Sequence, residues 1–325
     1  MLQKFQQEEK TAENPYVAQY FIEKSSNPNH SGLVDPVEED RIAIDALTSY
    51  YQSDVKVADI LSRYVSDDNL LEKATSLNKE DKIYVLHKIV EVYPSVTDPG
   101  DQKELVEFAE RYVRNVKDSV SATFLKDIEA NKKTENNIGI SSTYDGTAAG
   151  NWAYNNWNNY DPAFPAFNAG WGSDCTNFVS QAMWHGGKAM EGDWYVYKKN
   201  SKYQSPTSAD ELNYSWTLAD PSPWISVDAF NSYWRPKSTI HGYDHDNYVT
   251  NHKDIYNQPI YKGDVVVFHK GIAGVITWPT HLMIISGYDS SNSDFLLAGH
   301  SNNRQAYPLL TAISDYAYIE FFEIP

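Results

Sequence analysis

The sequence is poor in cysteine and in positive charge, and each shortage excludes a class of protein. A single cysteine among 325 residues, Cys175, can neither form an internal disulfide nor supply a cysteine-rich zinc site. The 27 Lys and Arg residues are outnumbered by 44 Asp and Glu residues, which gives a formal net charge of −17. Nucleic acid is therefore excluded as the main partner, because phosphate binding needs a basic surface. The same charge disfavours purely electrostatic attraction to anionic membranes.

Long apolar runs are also missing. No stretch approaches the roughly 20 apolar residues that span a bilayer, so we predict no membrane span. The opening residues, MLQKFQQEEKTAENP, lack the apolar core of an export signal, although a signal could have been removed from the chain. The hydrophobic fraction of 41% and the charged fraction of 22% are typical of a globular protein rather than a disordered one.

The chain divides into halves of different pattern. Between 37 and 135, apolar residues recur every three or four positions and charged residues fill the other faces, which predicts a bundle of amphipathic helices. The last of these helices is expected to run unbroken through 101–133. Residues 1–36 predict an extended or mobile arm. The polar stretch TENNIGISS marks the boundary, and a second domain is expected over 140–325. A helical domain of this kind can position an enzyme, bind a protein partner or restrain the active site. The sequence does not distinguish among these three roles.

The only cysteine stands where a helix should begin. Ser173 and Asp174 are good N-cap residues, and Gly186 with Gly187 is a good stop for the stretch DCTNFVSQAMWHGG. The first turn of a helix stabilises a thiolate through the backbone dipole and its free N–H groups. A free cysteine is more often a buried packing residue. The capped start and the polar neighbours favour a nucleophilic role for Cys175.

Two histidines lie at the ends of predicted strands. The short apolar runs YKGDVVVFHK, HLMIISGY, DFLLAGH and YAYIEFFEIP predict a meander of four or more strands packed on the cysteine helix, hence an α+β domain. His281 begins the second run and could take the thiol proton. His300 ends the third run and could orient the ring of His281. For either histidine alone, a surface position at a strand edge is an equal alternative.

Other polar and aromatic residues carry weaker signals. In NWAYNNWNNY, Tyr154 is expected to border the site, while the rings of this segment also suit a core. HGYDHD, from His241 to Asp246, could bind a metal, but its spacing is weak and we predict no metal and no cofactor. His269 is expected in a turn. Three tryptophans are candidates for a substrate-facing lip: Trp216, Trp224 and Trp234.

The strings GSDCTNFVSQAMWHGG, GDVVVFH, THLMIISGY and AGHSNNR resemble an amidase domain family of bacteria. That family is similar to the NlpC-type and CHAP-type cell-wall hydrolases, which have a papain-like core. The resemblance covers roughly 140–325 and leaves out the helical half. It implies Cys175 as nucleophile, His281 as base and His300 as the third polar group.

The third position is open in this resemblance, because related enzymes place different polar residues there and Asn302 and Asn303 lie close by. The resemblance also implies that the backbone N–H of Cys175 lies in an oxyanion hole, with Tyr154 or Asp174 as a further contributor.

The sequence thus predicts a cysteine-dependent amide hydrolase that acts on peptidoglycan stems or related peptides, in an extracellular or cell-wall location. The same fold could instead deamidate or acylate a protein target, as a toxin does. A third alternative is a non-catalytic module that binds cell-wall material.

Overall fold

The computed structural model describes residues 14–26, 33–135, 144–167 and 173–325. Contacts divide them into two compact units. The first unit takes in the described residues of Met1–Pro28, Ala43–Ile140 and Gly271–Trp278. The second takes in those of Asn29–Ile42, Ser141–Lys270 and Pro279–Pro325. Most of the predicted polar boundary lies outside the described residues.

Helices form most of the described chain before residue 136. They are α1 (Pro15–Ser26), α2 (Pro36–Ser62), α3 (Leu70–Ala74), α4 (Lys79–Val92), α5 (Pro99–Val116) and α6 (Ser119–Glu135), with a 3₁₀ turn at Tyr93–Ser95. The amphipathic pattern therefore predicted the helical structure of this half correctly. The first residues of α2, up to Ile42, belong to the second unit.

Two local expectations for this half are wrong. Pro15–Ser26, expected in an extended arm, forms α1 because its side chains Tyr16, Val17 and Tyr20 are buried. The expected single helix over 101–133 is interrupted at Lys117, which adopts a left-handed conformation with φ of 57° and ends α5. A periodic apolar pattern continues across such a break, because the two helices on either side each bury one face.

A charged cluster is buried among the helices of the first unit. Asp54 accepts hydrogen bonds from Lys82 at 3.0 Å, Arg111 at 2.6 Å and the Tyr16 hydroxyl at 2.5 Å. The Tyr112 hydroxyl donates to the same carboxylate. Burial lowers the pKa of Lys82 to about 8, although Asp54 opposes that shift. The carboxylate therefore offsets two cationic side chains in the unit's interior.

The second unit combines helices with an antiparallel sheet. Its elements after residue 143 are α7 (Gly146–Asn156), α8 (Asp174–His185), β1 (Val196–Lys198), α9 (Ala209–Ser215), β2 (Trp216–Leu218), α10 (Val227–Trp234), β3 (Thr239–Asp244), α11 (His245–Tyr256), β4 (Val265–Ile272), β5 (Ile276–Asp289), β6 (Asp294–Gly299), β7 (Arg304–Pro308), α12 (Leu309–Ala312), a 3₁₀ turn at Ile313–Asp315 and β8 (Tyr318–Glu323). The end of β4 and the start of β5, residues 271–278, are grouped with the first unit.

The main sheet has the strand order β3-β8-β4-β5-β6-β7 among the described residues. The α+β class with antiparallel strands is confirmed, but the strands do not form a simple meander, since β8 lies between β3 and β4. Alternate residues of the central strands enter different cores. Leu282 and Ile284 pack in the cluster that contains Cys175, whereas Met283 and Ile285 pack in the other. The helix α8 thus covers one face of the sheet.

The expected tryptophan lip is wrong. Trp216, Trp224 and Trp234 are buried in the core of the second unit. The indole N–H of Trp224 donates to Asn177 Oδ1 at 3.2 Å, and that of Trp216 donates to the Tyr203 carbonyl at 2.9 Å. These hydrogen bonds let the rings of Trp216 and Trp224 fill the interior. In the described part of the chain, no helix has the length and apolar character needed to cross a membrane.

Candidate active site

Cys175 lies in the first turn of α8, as the capping pattern predicts. Its Sγ is 3.2 Å from the hydroxyl of Ser173, the residue before the helix. The backbone N–H of Leu282, on β5, donates a hydrogen bond to the same sulfur. Helix and strand therefore meet at the thiol, one residue along the chain from His281.

The thiol is not a thiolate in this structure. Only 1% of Cys175 is exposed, and burial raises its pKa to about 12. The carboxyl of Glu38 adds to this rise, while Ser173, Leu282 and Thr176 oppose it. The helix N-terminus was expected to lower the thiol pKa, but burial has the larger effect. Removing a thiolate from water destabilises it by more than the helix dipole stabilises it.

His281 is buried on β5, one residue before Leu282, and its imidazole is neutral. Burial lowers the pKa of its imidazole to about 3. Its Nδ1 is buried and has no hydrogen-bond partner among the described residues, and its ring centroid lies 6.0 Å from that of Phe268. No hydrogen bond between this imidazole and the Cys175 thiol is formed in the described structure. A neutral ring with a free nitrogen can still accept a proton once the site rearranges.

His300 does not orient His281. Its Nδ1 lies 3.1 Å from Asp174 Oδ2, and the hydroxyl of Tyr160 donates to that oxygen at 2.8 Å. The His300 ring stacks on Phe178 of α8, with centroids 4.1 Å apart. The physical reason is the strand alternation: Ala298, two residues earlier, packs in the cluster that holds α8. The Nε2 of His300 has no partner among the described residues.

Glu38 is a site residue that the sequence analysis missed. It lies in the first turn of α2, and electrostatic interactions tie its carboxyl to Asp174 and Cys175. Burial raises the pKa of Glu38 to about 7, Asp174 and Asp35 add to the rise, and its neighbours Arg41 and Ser301 lower it. In the sequence Glu38 is one of three consecutive acidic residues on an amphipathic helix, so no local signal separates it from a solvated face.

The remaining predicted site residues contribute less. Asp174 is only 4% exposed and is engaged by His300 and Tyr160, although its Oδ1 has no partner among the described residues. Tyr154 is 41% exposed, and its backbone carbonyl accepts from Gln305. Within the described chain, no hydrogen bond joins Tyr154 or Asn303 to Cys175, Asp174 or the two histidines. The role of Tyr154 in the oxyanion hole and that of Asn303 at the third position stay predictions.

The histidines of HGYDHD lie on β3 and at the start of α11. His245 pairs with Asp246 at 2.9 Å. Within the described residues, no group of three or more His, Cys, Asp or Glu side chains is arranged to hold a metal ion.

His269 lies within β4 and not in the expected turn. It is buried, and its Nε2 lies 2.9 Å from Glu320 Oε2. Arg235 donates to the same oxygen of Glu320. Burial alone would raise the pKa of Glu320, but His269 and Arg235 hold that pKa well below its usual range.

Replacing Glu320 with Gln is expected to destabilise the second unit by about 2 kcal/mol at neutral pH, because it removes the buried carboxylate that His269 and the half-buried Arg235 both contact. A carboxyl with a lowered folded-state pKa contributes stability above its unfolded pKa and loses it as the pH falls. The native protein should therefore weaken from about pH 5 downwards more steeply than the variant. Urea unfolding at pH 7 and at pH 4 measures both effects, and equal stabilities at pH 7 would contradict the assignment.

A thiol at a helix start, two imidazoles and two carboxyls thus belong to the second unit, which also carries the antiparallel sheet. A family model described as "putative amidase domain" matches residues 143–322. Because this match covers more than half of the chain, the chain belongs to that amidase family, which supports amide hydrolysis as its activity. No curated protein and no solved structure matches the chain. The matched range contains Cys175, His281 and His300, whereas Glu38 lies outside it.

Proposed function

We propose that this amidase is cysteine-dependent, has a papain-like catalytic core and cleaves peptidoglycan stem peptides or related peptides. The observation that carries the proposal is the junction at Cys175, where the first turn of α8 meets the backbone N–H of Leu282, next to His281. Membership of the amidase family supplies the class of bond. An enzyme with this substrate would act at the cell wall or outside the cell.

In the proposed reaction, His281 takes the proton of Cys175 and the sulfur attacks the amide carbonyl carbon. The carbonyl π electrons move to oxygen, and the backbone N–H of Cys175 stabilises the resulting oxyanion. The oxyanion collapses, the C–N bond breaks, and the imidazolium gives its proton to the leaving amine. Water then attacks the thioester with His281 as base, which releases a carboxylic acid and the free thiol.

The shifted pKa values of Cys175 and His281 show that proton transfer between them is unfavourable in the free enzyme, so substrate binding has to make it easier. Burial disfavours both the thiolate and the imidazolium when each is considered alone. Formed together, the two charges attract each other strongly in a poorly solvated site, which offsets part of the desolvation cost. We therefore expect the thiolate to form with the imidazolium as a pair rather than in the free enzyme.

The pair Asp174–His300 is proposed to support the reaction from the side of α8. The 3.1 Å contact between His300 Nδ1 and Asp174 Oδ2 links the residue before Cys175 to the end of β6, and the His300 ring stacks on Phe178. Such a contact holds the nucleophile in register with the strand that carries His281.

Substitution of the two histidines separates their roles. His281→Gln should lower kcat by about three orders of magnitude or more, because it removes the base of both chemical steps. His300→Gln should lower kcat by about one to two orders of magnitude, because it only loosens the placement of the nucleophile. Steady-state hydrolysis of purified muropeptides measures both values. A reversed order of the two effects would make His300, with Asp174, the base.

The substrate class is tested by digestion. Mass spectrometry of muropeptides incubated with the protein should show new peptide fragments with a free carboxyl and a free amine. Intact muropeptides together with cleavage of other peptides would keep the amidase activity and overturn the peptidoglycan assignment.

A further inference from the structure

A segment outside the family-matched residues is built into the second unit. Leu33 and Val34 are buried in the core cluster that contains Phe268, Met283 and Ile285. The carboxyl of Glu39 lies 3.6 Å from the Lys270 ammonium. These contacts fix the start of α2, up to Ile42, on the catalytic unit.

The same segment places Glu38 in the second unit, where its carboxyl interacts with the Ser301 hydroxyl, next in sequence to His300. Asp35 caps the helix by accepting from the backbone N–H of Val37 at 2.9 Å, which directs the first turn of α2. The Oε1 of Glu38 is buried and has no hydrogen-bond partner among the described residues. Its electrostatic neighbours include Asp174 and Cys175. A buried carboxylate that interacts with the thiol opposes the formation of a second negative charge on sulfur.

We propose that Glu38 is a positioning residue of the thiol site, whose carboxylate adds to the effect of burial in keeping Cys175 protonated and whose neutralisation makes the thiol easier to ionise. This inference rests on the proposed function, in which Cys175 is the nucleophile. It extends the site beyond the amidase domain to a residue of the preceding segment.

The charged groups around Glu38 determine the pH at which its carboxyl ionises. Asp35, which precedes α2, and Asp174 of α8 disfavour the ionisation of Glu38. Arg41 of α2 and the Ser301 hydroxyl favour it. Burial outweighs these opposing effects and brings the pKa of Glu38 to about 7. The carboxyl therefore changes charge near neutral pH, unlike an ordinary exposed glutamate.

The test measures thiol reactivity in the full-length protein, where Cys175 is the only cysteine and the label reports on it alone. A pyridyl disulfide serves as the probe: the thiolate attacks one sulfur, a new S–S bond forms, and pyridinethione leaves and is measured by absorbance. The variants are Glu38→Gln, the conservative Glu38→Asp, and Asp59→Asn. Asp59 lies further along α2 with its side chain 73% exposed, so its variant is a matched charge-removal control.

Glu38→Gln should react about tenfold faster than the native protein near pH 8.5, which corresponds to a thiol pKa lower by about one unit. Near pH 5.5 the two rates should agree within about twofold, because the native Glu38 is then already protonated. Glu38→Asp should restore the native pH profile, and Asp59→Asn should match the native protein at both pH values.

Equal rates for Glu38→Gln and the native protein at both pH values would overturn the proposal. An equal acceleration at both pH values would also overturn it, because that result means a loosened structure rather than a lost charge. These outcomes are separate from the proposed hydrolase function, which is judged by whether Cys175→Ala still cleaves the amide.

Discussion

Replacing Cys175 with Ala should abolish amide hydrolysis and leave the protein folded. The variant removes the atom that forms the proposed acyl-enzyme, so kcat should fall by about four orders of magnitude or more. Alanine keeps the Cβ and the helical conformation, and only the sulfur contacts with Ser173, Thr176 and Leu282 are lost. We expect a stability loss of about 1 kcal/mol, as for other small deletions in a core. Muropeptide hydrolysis and thermal unfolding measure the two quantities.

A matched control comes from the same helix. Ser180 is buried on α8 and accepts a hydrogen bond from the Trp194 indole at 3.1 Å. Ser180→Ala should lower stability by about 1 kcal/mol and retain activity, since it removes a hydrogen bond away from the thiol. Turnover retained in Cys175→Ala would refute the nucleophile. Equal loss of activity in both variants would attribute the effect to the helix instead.

Replacing Asp54 with Ala should give the largest loss of stability in the first unit, about 3–5 kcal/mol. The carboxylate is fully buried and is the counter-charge of Lys82 and Arg111, and it accepts from Tyr16 and Tyr112. Without it, two cations remain in an apolar interior and two hydroxyls lose their acceptor. Urea unfolding followed by far-ultraviolet circular dichroism measures the loss.

Asp59→Ala is the control for this experiment. Asp59 lies on the same helix, α2, but its side chain is 73% exposed and its ion pair with Arg63 faces solvent. Exposed pairs of this kind contribute about 0–1 kcal/mol, so the control should unfold close to the native protein. A loss below about 1 kcal/mol in Asp54→Ala would show that the buried cluster does not stabilise the unit.

The sequence could predict the features that depend on local pattern. Ser173 before α8 and Gly186 after it mark the ends of the cysteine helix, and the structure begins that helix at Asp174 and ends it at His185. Apolar stripes spaced by three and four residues predicted the helices of the first unit, and the short apolar runs predicted strands near β4, β5, β6 and β8. Helix capping and apolar periodicity depend on residues close together in sequence, so they can be recognised before the fold is known.

The sequence could not predict features that depend on distant contacts. The partner of His300 is Asp174 rather than His281, because strand alternation and the packing of Phe178 decide which ring faces α8. Glu38 interacts with the residues around the thiol only because Leu33 and Val34 anchor its segment in the other core of the second unit. The thiol's raised pKa follows from burial, a tertiary property that overrides the favourable effect of the helix start.

Capture of the acyl-enzyme tests the central claim most directly. The protein is mixed with muropeptides, quenched in acid, digested, and analysed by mass spectrometry for the peptide that contains Cys175. We predict an added mass on that peptide equal to the acyl fragment of the cleaved amide, absent in His281→Gln. Release of product while Cys175 stays unmodified, or an acyl group on another residue, would contradict the account.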